Sequence, residues 1–260
     1  GAVGVELLRV MERRDFPVAD LRLLASARSA GKTLSFRGRD FPVAMLDENS
    51  FAGIDLAFFS AGSVTSKQFA PLAQRAGAVV IDNSSAFRMD AAVPLIIPEI
   101  NPEDVRAHRG IIANPNCTTA VALMALYPLH RAFGLRRVFA ASYQAVSGSG
   151  ARAIEELQRQ VEASVRGGEQ VAQVYPHPIA FNVLPHVDSF LENGYTREEM
   201  KLQNEGRKMM HLPDFRASVT CVRVPVYRAH SIAMNAEFER PVSIDAARDV
   251  LARAPGLDLI

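Results

Sequence analysis

Residues 111–133 read Ile-Ile-Ala-Asn-Pro-Asn-Cys-Thr-Thr-Ala-Val-Ala-Leu-Met-Ala-Leu-Tyr-Pro-Leu-His-Arg-Ala-Phe. The short apolar run Ile111–Asn114 predicts a buried strand. It breaks at Asn114-Pro115-Asn116, because proline resists continuing a regular element. The largely apolar segment Thr118–Phe133 then predicts a helix. Strand, tight turn and helix in this order make the repeating unit of a parallel, doubly wound sheet.

The same unit recurs upstream. Ile54–Ser60 predicts a strand ending in Ala61-Gly62-Ser63, followed by a helix over Thr65–Ala76. Ala78–Asp82 predicts another strand, ending in Asn83-Ser84-Ser85. Two more strands are expected at Asp20–Ser26 and Phe41–Leu46. Val5, Leu8 and Met11 stand at helical spacing and predict a helix over residues 4–14.

Beyond Gly134 the pattern changes. Arg137–Val146 predicts a strand, and Ser147-Gly148-Ser149-Gly150 leads into a helix over Ala151–Arg166. Residues 167–195 are punctuated by Pro and Gly and read as loop. Thr196 and Glu199 have capping-box spacing, so a helix is expected from there to about Met210. Ser218–Val226 and Ser231–Glu239 predict antiparallel strands, and Ser243–Ala252 a helix. The class is therefore α/β, with a Rossmann-type nucleotide-binding domain at residues 1–133 and an α+β substrate and dimerisation domain at 134–260. The chain opens without Met and closes on Leu257-Asp258-Leu259-Ile260, which resembles the start of a strand. Both ends read as truncations, with the first strand of the sheet missing.

Composition narrows the function classes. At 260 residues the chain has room for about two domains. Its 29 basic and 28 acidic residues nearly cancel, so no global field draws it to nucleic acid or an anionic membrane. Its apolar runs fall short of the ~20 residues that span a bilayer. Two cysteines do not make a disulfide scaffold, and a reducing cytoplasm is the expected compartment.

Cys117 is the strongest chemical signal. It stands where a strand hands over to a helix, and unpaired N–H groups at a helix N-terminus favour a thiolate. Asn116, Thr118 and Thr119 are small polar neighbours able to donate hydrogen bonds, and Asn116 is grouped with the substrate-binding residues. Cys221, inside the alternating Val-Thr-Cys-Val-Arg-Val run, reads as packing. His230, between two strands, reads either as the proton partner of Cys117 or as a structural histidine.

Cofactor signals sit at the ends of the predicted strands. Gly1-Ala2-Val3-Gly4 before a helix suits close approach of a pyrophosphate. Ser26-Ala27-Arg28-Ser29 carries a guanidinium between two hydroxyls, with no carboxylate to hold a ribose 2′-hydroxyl. That favours NADP over NAD through the 2′-phosphate. Ser60, Gly62 and Ser84 lie at strand ends where open α/β sheets bind ligands. Ser147 and Gly148 could admit the nicotinamide end closely.

Together these pieces resemble the aspartate-β-semialdehyde dehydrogenase family. The likeness runs through Gly1–Gly4, Leu23–Lys32, Ile81–Arg88, Asn114–Thr119, Tyr143–Gly148, Glu198–Lys201 and Arg223–Ser231. It implies a homodimer, or a dimer of dimers, that acts on a small-molecule substrate and phosphate. The implied reaction is NADP-linked reduction of β-aspartyl phosphate to the semialdehyde through a cysteine thioester. By resemblance Cys117 is the nucleophile, His230 the general acid/base, and Gln144 the group that orients the thioacyl intermediate. Arg223 pairs with the substrate α-carboxylate and Glu198 with its ammonium, while Arg88 and Lys201 hold the phosphoryl group. Three alternatives stand beside this one: a related reductase such as one acting on N-acetyl-γ-glutamyl phosphate, a non-catalytic homologue, and a cofactor-free cysteine hydrolase.

Overall fold

The computed structural model describes residues 1–260. Strands β1 (Leu23–Ala25), β2 (Thr33–Phe36) and β3 (Arg39–Met45) form one sheet in the order β1-β3-β2. β1 runs parallel to β3, and β2 pairs with β3 as a hairpin. The hairpin was not expected from the sequence. Its two-residue turn is Arg37-Gly38, with φ of 51° and 71°. Tight hairpins need positive φ at both central residues, and arginine is an unusual occupant of the first. Helix α1 (Ala2–Arg13) rests Leu8 and Met11 on Phe36.

The second sheet carries the repeating units. Strands β4 (Leu56–Phe59), β5 (Val79–Asp82) and β6 (Ile111–Ala113) are parallel in that order. Helix α2 (Ser63–Arg75) connects the first two, and helix α3 (Cys117–Phe133) follows the third. Phe59 is in register with Asp82, and Asp82 with Ala113. All three strands therefore end at one level, and their following turns share one edge. β1 pairs only with β3, and β4 only with β5.

The third sheet contains β7 (Leu135–Gln144), β8 (Arg216–Arg223) and β9 (Ser231–Phe238), in the order β8-β7-β9. β9 is antiparallel to β7, but β8 is parallel to it. The sequence predicts both as antiparallel strands; β9 is one, and β8 is not. Between β7 and β8 the chain makes helix α4 (Ala151–Val165), the segment 166–195 and helix α5 (Arg197–Met209), a crossover long enough for parallel pairing. Alternation along β8 records a one-sided sheet and says nothing about strand direction.

Helix α6 (Ile244–Ala252) and α5 both pack on α3, which also lies against β7 and β9. One core runs through the molecule, joining Val80, Leu123 and Leu126 to Val138, Leu202 and Phe215. The segment after α4 carries a small core of its own, with Ile179, Ala180 and Leu184 on Ala153 and Leu157. Buried Gln160 and Glu156 secure it, because Gln160 Oε1 accepts from the N–H groups of Ile179 and Ala180. Glu156 Oε2 accepts from those of Gln173 and Val174. No helix is long and apolar enough to cross a membrane.

Candidate active site

The carboxyl ends of two sheets, with α5 between them, bring the candidate residues together. From the β5–β6 edge come Asn83, Arg88 and the turn Asn114–Cys117. From the β7–β8 edge come Gln144 and Arg223, paired in register at the ends of their strands. Cys117 opens α3 and is exposed. Asn116 caps the helix, its Oδ1 accepting from the N–H groups of Thr118 and Thr119. Its Nδ2 donates to Glu198 Oε1 at 3.0 Å. Both ends of the Asn116 amide are thus engaged by protein, and its geometry is that of a group placing the turn and Glu198.

The thiol does not have the low pKa that its position suggested. Burial of its protein-facing side pushes it up, and the Glu198 carboxylate adds to this. The backbone N–H and hydroxyl of Thr118 and the charge of Arg88 pull it back without prevailing. The helix N-terminus is outweighed here by burial and by a carboxylate, Glu198, that only the fold brings near.

Gln144 is 1% exposed. Its Nε2 donates to Thr118 Oγ1 and, at 3.0 Å, to Glu198 Oε1. Lys201 donates to Glu198 Oε2 at 2.6 Å and reaches Asp188 at 3.3 Å. Burial pushes the Glu198 carboxyl up, but the Lys201 charge and the three side-chain donors outweigh it and hold it low. Burial likewise lowers Lys201, and its two carboxylates more than restore it. Glu198 and Lys201 thus face the site as a pair buttressed by Asp188.

Arg223 is 6% exposed and has no carboxylate partner. Its Nη1 donates to the Ala145 carbonyl at 2.7 Å, its Nε has no partner, and its guanidinium lies 5.9 Å from the Tyr175 ring centroid. The backbone of Leu184 exchanges two hydrogen bonds with that of Arg223, fixing it from the side opposite Gln144. A buried cation with an unpartnered N–H is a receptor for a carboxylate.

His230 meets the same corner. Its Nδ1 accepts from the Ala145 N–H at 3.1 Å, so the neutral ring carries its proton on Nε2. Burial lowers its pKa and Arg223 contributes, against a backbone bond at Ala229 and the Glu198 charge. A path of contacts links it to the thiol: Cys117 adjoins Thr118, Thr118 bonds Gln144, and Gln144 adjoins Ala145. Gly148 closes the corner. A Cβ there would stand 3.0 Å from Arg223 Nη1 and 3.6 Å from the His230 ring.

Arg88 is buried with its guanidinium engaged. Nη1 pairs with Glu205 at 3.2 Å, Nε donates to the Asn114 carbonyl at 2.8 Å, and Nη2 to that of Asn83 at 2.9 Å. Glu205 and Asp188 were missed in the sequence. Glu205 stands seven residues after Glu198, on the same face of α5, and that spacing was the available signal.

The cofactor candidates lie elsewhere on the strand-end edge. Gly1 and Gly62 are the N-caps of α1 and α2, and neither helix has a side-chain cap or an acidic residue in its first turn. Gly62 adopts φ 91° with open space where a Cβ would be. Ala2, Val3 and Gly4 form the first turn of α1. Ser26 to Ser29 form a turn after β1 on which Ser26 and Arg28 are exposed, as is Ser60 after β4. Two bare helix N-termini and an exposed guanidinium suit a phosphate-rich nucleotide. The Ser84 hydroxyl turns inward, donating to Asp82 and accepting from the Ala86 N–H, so its side chain shapes the turn after β5. Ser147 and Gly148 lie in a short 3₁₀ turn, Gly148 close to His230, and Gly150 caps α4.

A Rossmann-type sheet with an exposed cysteine at a strand end, linked through Thr118 and Gln144 to a corner that holds an imidazole and a buried guanidinium without a carboxylate partner, fits a nucleotide-linked oxidoreductase that works through a thiol. Residues 1–108 match the family described as semialdehyde dehydrogenase, NAD binding domain, and residues 126–260 that described as semialdehyde dehydrogenase, dimerisation domain. The aspartate-semialdehyde dehydrogenase of Aquifex aeolicus is 52% identical over 264 residues, spanning 100% of this chain and 78% of the relative. That of Synechocystis is 50% identical over 260 residues, spanning 100% and 77%. The crystal structure of aspartate semialdehyde dehydrogenase II from Vibrio cholerae, complexed with ASA, superposes with a TM-score of 0.96 at 42% identity, covering 98% of this chain and 77% of that one. The chain belongs to the aspartate-semialdehyde dehydrogenase family.

Proposed function

We propose that this enzyme interconverts β-aspartyl phosphate and aspartate β-semialdehyde with NADP and phosphate, in the biosynthesis of the aspartate-derived amino acids. The observation that carries this is an exposed Cys117 at a strand end in the same strand-end cluster as a buried Arg223 that has no carboxylate partner. In the reductive direction the Cys117 thiolate attacks the acyl carbon, a C–S bond forms, and the C–O bond to phosphate breaks with its electrons leaving on phosphate. NADPH, when bound, would supply the hydride that takes the thioester to the aldehyde level. Cys117 then departs as thiolate when the C–S bond breaks. His230 Nε2–H is the donor toward oxyanions formed in these steps, and taking the thiol proton in the opposite direction requires the other tautomer, with the Nδ1 bond to the Ala145 N–H given up.

Arg223 pairs with the substrate α-carboxylate, and Glu198 with its ammonium. Lys201 and Arg88 attend the phosphoryl group, Lys201 as a point charge and Arg88 through its uncommitted N–H groups. Gln144 and Asn116 act by holding Glu198 and Thr118. Gly1–Gly4, Gly62, Ser60, Ser147 and Gly148 would receive the nucleotide, and Arg28 between Ser26 and Ser29 its 2′-phosphate. Residues 1–133 and 134–260 serve as the nucleotide and substrate domains, although they share one core. The open face of the third sheet, with Phe139 48% and Tyr143 45% exposed, supports a homodimer, and two free cysteines suit the cytoplasm.

The test is steady-state turnover of aspartate semialdehyde with NADP or NAD, with and without phosphate. Phosphate-dependent turnover, faster with NADP, is expected, and Arg28→Ala should lower kcat/KM for NADP by roughly tenfold with little effect on NAD. Phosphate-independent turnover would refute the mechanism, and an NAD preference would refute the role of Arg28.

A further inference from the structure

Glu205 touches none of the groups that meet the substrate's carboxylate or ammonium, yet it is 2% exposed directly beneath the nucleophile turn. Its two oxygens do different work. Oε2 accepts from the Asn116 N–H, one residue before Cys117, at 2.7 Å. Oε1 pairs with Arg88 Nη1 at 3.2 Å. Arg88 in turn holds the carbonyls of Asn114 and Asn83. One carboxylate and one guanidinium thus grip the turn at Asn114 and Asn116 and tie it to the end of β5 and to α5. A guanidinium has five N–H groups, and three are spent in this grip. The remaining two, one on each Nη, are free for a phosphoryl group.

We propose that Glu205 is a positioning residue of the phosphate subsite. It fixes the guanidinium of Arg88 so that those two N–H groups stay presented beside Cys117. This deepens the proposed function and rests on it. The burial argument agrees: a carboxylate that served only the Asn116 N–H would leave Arg88 a buried cation without compensation, which folded proteins avoid. An Arg88 freed from Glu205 would turn toward solvent or toward Glu198, and its donors would leave the phosphoryl site.

Glu205→Gln separates the two tasks. The amide oxygen still accepts from Asn116, while the amide nitrogen opposes Arg88 donor to donor. In the phosphorylating direction the KM for phosphate should rise by roughly tenfold, with the KM for aspartate semialdehyde changed less than about twofold. Arg88→Lys alone should raise the phosphate KM as well. In the double variant Glu205→Gln/Arg88→Lys, the phosphate KM should match that of Arg88→Lys, because Glu205 acts through Arg88. Glu205→Asp, which keeps the charge, should recover part of the loss. An unchanged phosphate KM in Glu205→Gln, equal losses in both KM values, or independent, multiplying effects in the double variant would overturn the proposal. If Glu205→Gln does not fold, Glu205→Asp against Arg88→Lys carries the same cycle. Wild-type turnover that ignores phosphate would instead overturn the reading of function on which this rests, and the proposal with it.

Discussion

In the free enzyme the Cys117 thiol is pushed up by burial and, after it, by Glu198, the group proposed to meet the substrate ammonium. Glu198 is one of the two influences that raise the Cys117 thiol, and Lys201 holds one oxygen of that carboxylate. A substrate bringing its own ammonium against Glu198 would neutralise the carboxylate and favour the thiolate, so activation is coupled to binding of an aminated substrate. In the free enzyme, alkylation of Cys117 by iodoacetamide should therefore rise with pH through an inflection above the ordinary thiol range. Glu198→Gln should move that inflection down, because it removes a negative neighbour. An inflection at or below the ordinary range in wild type, or one unmoved in Glu198→Gln, would contradict this electrostatic reading. At this scale Cys117 stood out by its residue type and neighbours, whereas Arg223 entered through the family resemblance. The pKa of Cys117 was not, since Glu198 and Arg88 reach it only through the folded chain.

Helix α5 does more for the site than any other element. Glu198, Lys201 and Glu205 line the face that meets the two strand-end turns, and Lys208, a turn further on, donates to the carbonyls of Arg88, Asp90 and Val93. Its start is set by Thr196 and Glu199, whose hydrogen bonds form the capping box that the sequence announced. Glu199 Oε1 also accepts from the Cys221 N–H at 3.0 Å, tying the first turn to β8. The rear of the helix rests on Phe215 at Gly206, where a Cβ would stand 2.9 Å from the ring. Gly206→Ala should therefore cost about 1–3 kcal/mol of stability in denaturant unfolding, through overpacking that outweighs the better helix propensity of alanine. A stabilised Gly206→Ala protein would show that α5 is not held that tightly. Elements whose signal is local, such as α3, α5 and the apolar strands β4 to β6, were readable from period and caps. The Arg37-Gly38 hairpin was hidden by an uncommon turn residue, and the direction of β8 by a crossover whose course only tertiary packing decides.

In the whole molecule, one continuous core and three short sheets place two sets of strand ends opposite each other. The core joins residues from both halves, so the angle between the β5–β6 edge and the β7–β8 edge is set by packing of α3 against α5, β7 and β9. That explains how residues as distant as Asn116 and Glu198, or Arg88 and Glu205, meet within hydrogen-bond distance. The sheet β8-β7-β9 covers α3 with one face and leaves Phe139 and Tyr143 exposed on the other, an arrangement suited to pairing with a second copy. The most direct test of the account is a rapid-mixing measurement with excess NADP and aspartate semialdehyde in phosphate-free buffer. The account predicts a burst of NADPH equal to the number of Cys117 thiols, an aspartyl adduct on that residue by intact mass, and resumed turnover on adding phosphate. A burst of undiminished size in Cys117→Ser, or steady NADPH production without phosphate and without an adduct, would contradict it.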